Sequence, residues 1–343
     1  MMNHLRVLFI SILGIGAMVT GYGLHNHIVK VKAARMDHVV APAAFFPAGS
    51  AWTQDVSHAP LDPQSSAIIG WLAGAGGWGN NNRMQVDFSM RVIQADASTP
   101  QVPFRKGPEF YINDSDVVPT VPLPAGGGLE GQPGYQCPQG GDCHLIVVDR
   151  SHGKLYEAYS ANYTQGALAA DFLAVWDLNR VYPQSGRGDQ CTSADAAGLP
   201  IAPLLFNADE LATGSINHAI RFILPNPRIR AHVFVHPATH AGAPRGPIDA
   251  PPMGARFRLK ASFDMSKLTP AAQVVARAMQ KYGMFLSDGG NIALTAQNDK
   301  DTRAKYADLD FGPHDLLDLK VTDFEVVDMG TPIRLTDDCV RNR

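Results

Sequence analysis

What the sequence lacks narrows its reading first. No block of basic residues occurs, and 29 Lys and Arg stand against 32 Asp and Glu. Nucleic-acid binders neutralise phosphates with clustered cations, so this balance argues against nucleic acid as a partner. Only 18% of residues are charged and 45% are hydrophobic, which excludes a globally disordered chain. Strand-like and helix-like patterns do not alternate regularly, so a doubly wound parallel sheet is not expected. There is no internal repeat. No G-x-S-x-G occurs, and "TSADAAG" lacks the glycine before serine that a nucleophile elbow requires. The four cysteines do not form two short C-x2-C pairs, which excludes a zinc ribbon. "SDGGN" has neither the spacing nor the Lys-Ser/Thr ending of a phosphate loop. No cofactor is expected.

The N-terminus carries the clearest positive signal. Arg6 precedes a charge-free run from Val7 to Leu24. The run is near the lower limit for crossing a bilayer and somewhat long for a signal h-region. Lys30, Lys32 and Arg35 follow it, a flank that the positive-inside rule disfavours for export. Residues 1–35 are nevertheless read as a signal peptide or membrane anchor, and the membrane is expected as a partner only there. The cysteines support export. Cys137 and Cys143 flank a Pro/Gly loop suited to a small disulfide, and Cys191 and Cys339 then pair with each other. The protein is expected outside the cytoplasm: periplasmic, secreted or anchored facing outward.

Residues 36–65, rich in Pro, Ala and Ser, read as an extended linker or arm. Residues 66–343 read as a single β-rich domain. "AGAGGWGNNN" reads as a flexible loop after a short helix. In "MQVDFSMRV", Met84, Val86, Phe88, Met90 and Val92 alternate with polar residues, as in one half-buried strand. "HLIVVD" and "KLYEAYSA" flank "RSHG" as a hairpin. "FLAVWDL", "HAIRFILP", "AHVFVHP", "ARFRLKASF" and "TDFEVVD" are further strands. "LTPAAQVVARAMQKYG" is a helix with Thr269 as N-cap, Pro270 at N1 and Gly283 as terminator. Many short strands and few helices imply an antiparallel β-sandwich or jelly roll with helical insertions.

Three constellations bear on chemistry. The first is a carboxylate pair, as in enzymes that cleave glycosidic bonds between two acids. Glu157 leads because it lies within a strand, with Asp149, Asp177, Asp195 and Asp288 as partners. Tyr156, Tyr159, Trp176, His240 and Asn291 are the substrate-contacting candidates, since aromatic faces stack on sugar C–H surfaces. The second is His232, His236 and His240 in "HVFVHPATH", which could bind a metal. It is not H-E-x-x-H. The third is Ser193 with a distant His and Asp. A structural reading competes with it, in which Thr192, Ser193 or Asp195 caps a turn and the neighbouring alanines pack closely.

"TSADAAGLPI", "INHAIRFILP", "PPMGARFRLKASFDMS", "KYGMFLSDGGN" and "DFEVVD", taken in order, resemble a family of exported microbial proteins of unassigned function. The resemblance spans most of Cys143 to Asp328. That family carries a tryptophan where this chain has Cys191, so the resemblance implies that a Cys191–Cys339 bridge is local to this chain. It carries over no activity, fold or catalytic residue. The residues therefore point to an exported carbohydrate-active enzyme, a glycoside hydrolase or lyase, whose partner is a polysaccharide or cell-envelope glycan. The alternative is a non-catalytic envelope or carbohydrate-binding sandwich. A metal-dependent enzyme using the histidines is the second alternative.

Overall fold

The computed structural model describes residue 39, residues 42–138 and residues 141–342. The charge-free segment from Val7 to Leu24 and its flank lie outside these residues. Among the described residues, no helix is long and apolar enough to cross a membrane. In chain order the strands are β1 (Val86–Met90), β2 (Val92–Ala95), β3 (Gln101–Lys106), β4 (Thr120–Pro122), β5 (Leu145–Asp149), β6 (Lys154–Tyr159), β7 (Asn162–Thr164), β8 (Ala167–Ala170), β9 (Phe172–Asp177), β10 (Ile220–Leu224), β11 (Val233–Phe234), β12 (Arg256–Leu259), β13 (Met284–Gly289), β14 (Leu294–Gln297), β15 (Phe324–Val326) and β16 (Ile333–Arg334). The helices are α1 (Ser65–Gly74), α2 (Ala208–Thr213) and α3 (Pro270–Lys281).

The fold is mainly β, but its sheets are mixed. One sheet runs β1-β14-β10-β13-β12-β15, a second β2-β5-β6-β9, a third β4-β3-β8-β7, and β11 pairs with β16. β1/β14, β10/β13, β2/β5 and β3/β8 are parallel, which corrects the antiparallel expectation. Parallel neighbours need a crossover connection. Here the β2-to-β5 crossover carries strands of another sheet, so the helical period that usually announces a parallel pair is missing. The hairpin of β5 and β6 forms as expected.

The alternating "MQVDFSMRV" run is not one strand. It breaks at Arg91: β1 joins β14 in the large sheet and β2 joins β5 in another. The buried Arg91 occupies the joint and donates to both oxygens of Asp301, at 2.7 and 3.0 Å. The expected strand "AHVFVHP" is only Val233–Phe234. His232 has a left-handed backbone (φ +57°) and cannot extend the ladder.

The core of the large sheet is aromatic. Trp78 is fully buried, with ring centroids 6.0, 6.4 and 5.3 Å from Phe222, Phe257 and Phe324. Its indole N–H donates to Leu319 O at 2.9 Å, so the ring brings no orphan donor with it. The loop that carries it is fixed, not flexible. Asn80, Asn81 and Asn82 are all left-handed, a conformation asparagine tolerates, and Arg228 Nη1 donates to Gly77 O and Trp78 O.

Residues 42–65 contain little regular structure, as expected of an arm, but they are docked. Phe46, Trp52 and Val56 are buried. The alternation of β12 explains this: Phe257 and Leu259 face the core, and Arg256 and Arg258 face the arm. Arg256 donates to Gln54 O at 2.9 Å, and Arg258 to Ala59 O at 3.0 Å and to Val56 O. The guanidinium stems cover apolar surface while their heads satisfy carbonyls of an irregular segment. Residues 42–138 and 141–342 accordingly belong to one compact unit. Trp52→Ala is expected to lower stability by about 3–5 kcal/mol in urea unfolding. An unchanged midpoint would mean that the arm is a free linker.

Candidate functional site

The site begins with the turn-rich stretch between β9 and α2. Cys191 is bridged to Cys339, with Cα atoms 4.5 Å apart. Ser193 Oγ accepts from Asp195 N at 2.9 Å and donates to Leu199 O at 2.6 Å, which closes a tight turn. Gly198 is left-handed (φ +75°), and a Cβ there would stand 2.1 Å from Thr239 Oγ1, so no larger residue fits. Ala197 N donates to Ser287 O of β13, and Thr239 N donates to Ala197 O. Gly198 is thus required where the loop is wedged between two backbones. Ser193 is committed to that turn.

This turn aims Asp195 inward, where it is completely buried. Arg221, on β10, meets it with two parallel bonds: Nε to Oδ2 at 3.0 Å and Nη2 to Oδ1 at 2.9 Å. Arg221 also donates from Nη1 to Thr295 Oγ1 on β14 at 2.6 Å and from Nη2 to Asp288 Oδ2 on β13 at 3.0 Å. Burial pushes the Asp195 carboxyl up, and Arg221 pulls against it.

Beside this network stands His144, just before β5. Its Nδ1 lies 2.7 Å from Glu130 Oε2 and its Nε2 lies 2.9 Å from Ala194 O. A carbonyl only accepts, so Nε2 carries a proton; the carboxylate draws a second onto Nδ1. Burial alone would lower the pKa of His144, but Glu130 and Asp142 outweigh it and raise it to about 9. His144 is therefore an imidazolium at neutral pH and no general base.

Above these groups opens a cleft of about 200 Å³. Tyr111, Tyr159, Phe172, Asp142, Asp288 and His240 line it, with Thr192 and Ser193. Asp288 is engaged at both oxygens, by Arg221 and by Gly289 N at 2.7 Å. Asp142 is open to solvent and accepts no hydrogen bond from the described residues. Its carboxyl is pushed up by desolvation from the protein around its inner side, opposed by the His144 imidazolium and reinforced by Glu130 and Asp288.

Of the residues expected from sequence, Asp288, Tyr159 and His240 reach this cleft, and Asp195 lies beneath it. The others do not meet there. Glu157 is wholly buried; its carboxylate accepts from Trp176 Nε1 (2.9 Å) and from the amides of Ile201 and Ala202 (2.8 Å each). Burial pushes its pKa up to about 7 against those donors. It anchors the Leu199–Ala202 segment to β6, and Trp176 is spent on it. Asp149 accepts from Ser151 Oγ and His152 N and shapes the β5–β6 turn. Asp177 pairs with Lys154 at 3.0 Å and accepts from Asn179 N. Tyr156 packs against the core beneath the second sheet, and Asn291 is exposed. His236 pairs with Asp189 at 2.8 Å, and His232 is exposed. Among the described residues, no three His, Cys, Asp or Glu side chains form a group able to hold a metal.

Sequence reading missed Asp142, His144, Glu130, Tyr111 and the role of Arg221. One signal was there: Asp142 and His144 flank Cys143, whose bridge to Cys137 fixes the loop, with Cα atoms 5.9 Å apart. No family model, curated protein or solved structure matches this chain.

Arg221→Met strands two acids without their cation and is expected to cost about 3–5 kcal/mol in guanidinium unfolding. The double variant Arg221→Met/Asp195→Leu should recover most of this; equal losses would remove the buried pair from the account. His144 gives a pH signature. Its folded pKa is raised from 6.5 to about 9, so its contribution is complete below 6.5 and lost as pH rises through 9. NMR is expected to find both ring nitrogens protonated at pH 7, and Glu130→Gln should move the titration down toward 6.5.

Proposed function

We propose that this is an exported glycan-binding protein and that the cleft above Arg221 receives the glycan. The observation that carries the reading is the lining: two accessible aromatic side chains, Tyr111 and Tyr159, backed by the buried Phe172, beside the polar groups of Asp142, Thr192 and His240. Rings of this kind stack on the apolar faces of sugars, and the polar groups take up hydroxyls. The two disulfides fit an oxidising compartment, where such polymers are met. A binding role is favoured over a hydrolytic one by the state of the acids. Glycosidic cleavage uses two carboxyl groups that both reach the bond. Asp142 is unengaged, but Asp288 is tied at both oxygens and Glu157 is sealed in the core.

A second reading, a glycoside hydrolase, keeps one specific support. The Asp142 carboxyl is pushed up by desolvation, a property of acid catalysts. It would protonate the leaving oxygen, with Asp288 as its partner. Incubation of the domain with a polysaccharide panel separates the two. The expected result is saturable binding with no new reducing ends. Tyr159→Ala should weaken binding about tenfold, a loss of about 1.4 kcal/mol. Reducing ends that accumulate with wild type and not with Asp142→Asn would make the protein a hydrolase. No binding across the panel would end both readings.

A further inference from the structure

The charge around the cleft is lopsided. Glu130, Asp142, Asp195 and Asp288 stand against His144 and Arg221. Both cations are buried beneath the opening and committed to partners within the network: His144 to Glu130 and Ala194 O, Arg221 to Asp195, Asp288 and Thr295. The remaining lining imidazole, His240, accepts from Gly242 N and stands 3.5 Å from Asp337, so it too has an acidic neighbour. What the cleft presents outward is therefore an aromatic-walled space with two carboxylates, the exposed Asp142 and the partly exposed Asp288.

That arrangement suits a particular class of ligand. A neutral sugar offers hydroxyl donors but no charge to balance the acid excess. A uronic acid would add a further carboxylate to a site that already repels one. A protonated amine supplies donors to Asp142 and a positive charge. It also gains from the faces of Tyr111 and Tyr159, since ammonium groups are attracted by aromatic quadrupoles. The cleft volume of about 200 Å³ accommodates a sugar ring bearing such a group, and not a long segment of polymer.

We infer that the cleft selects an amine-bearing glycan, in which a deacetylated hexosamine places its ammonium against Asp142 between the tyrosines. This inference rests on the glycan-binding reading and narrows it. The aromatic rings provide general affinity for sugar, and Asp142 provides the choice among sugars. Asp288, already bonded by Arg221 and Gly289 N, adds negative charge to the same wall.

The test is calorimetric titration of the whole exported chain with glucosamine, N-acetylglucosamine and galacturonic acid oligomers of equal length. Glucosamine oligomers are expected to bind at least tenfold more tightly than N-acetylated ones, and galacturonic acid oligomers not measurably. Raising salt from 0.05 to 0.5 M should weaken only the glucosamine complex, because the contact with Asp142 is partly open to solvent. Asp142→Asn should abolish the preference and keep the weaker binding to N-acetylated oligomers, with an unchanged thermal midpoint as the control for folding. Tyr159→Ala should lower affinity for both. Equal binding of glucosamine and N-acetylglucosamine oligomers overturns the amine inference and leaves the glycan reading standing. Binding of none of the three overturns both.

Discussion

The described structure turns on one guanidinium. Arg221 sits in the middle of the large sheet, on a strand with a neighbour on each side, and is almost completely buried. A lone charge there would be prohibitively costly, so everything around it is arranged as its partner. Asp195 comes from the loop, Asp288 from β13 and Thr295 from β14. An apolar replacement of the whole group would be at least as stable, since desolvating an ion pair offsets most of its attraction. Its consequence lies in geometry. The bidentate grip fixes where the turn at Asp195 can lie and which way Asp288 points, and through them the floor of the cleft.

The same requirement explains why the stretch from Gly188 to Phe206 looks as it does. To bring Asp195 to Arg221, the chain must pass between β13 and the segment around Thr239. That passage leaves no room for a side chain at Gly198 and buries Ala197 completely. Ser193 closes the turn within its own backbone, so its hydroxyl is consumed by structure. Glu157 meets the far side of the same segment and accepts two of its amides. A strand-borne glutamate beside a tryptophan has the sequence appearance of a catalytic group. Here it is a clamp that fixes the loop to β6.

Legibility in the sequence followed the range of the forces involved. The hairpin of β5 and β6 and the capped helix α3 were readable, because turn chemistry, capping and periodicity act within a few residues. Sheet membership was not. Val86 and Val92 share one alternating pattern but belong to different sheets, and only Arg91 with the distant Asp301 marks the break. The strand at Arg256–Leu259 was readable, but not that the arm covers Arg256 and Arg258, since a segment without regular structure leaves carbonyls that need donors. At the site, Asp288, Tyr159 and His240 could be picked out as types suited to binding. Asp142 could not, because its place at the cleft comes from how the fold brings the loop around Cys143 up to β13 and the Cys191 turn, and no motif announces that. His144 was overlooked for a related reason. Its charge comes from Glu130 and Ala194 together, and neither is identifiable as its partner from spacing alone.

Cys143 stands between Asp142 and His144, and Cys191 immediately precedes Thr192, so each bridge holds a residue adjacent to the cleft lining. The second bridge also brings in the C-terminal tail, where Arg341 donates to Asp114 O and to Asp116 Oδ1, bracing the segment that begins at Tyr111. Three parts of the cleft wall are thus fixed by covalent and charged ties. The floor of the site is set by electrostatics in the sheet, and its walls are tied by the two disulfides and the Arg341 contacts. Asp195 joins the two, since it lies four residues after Cys191 and pairs with Arg221.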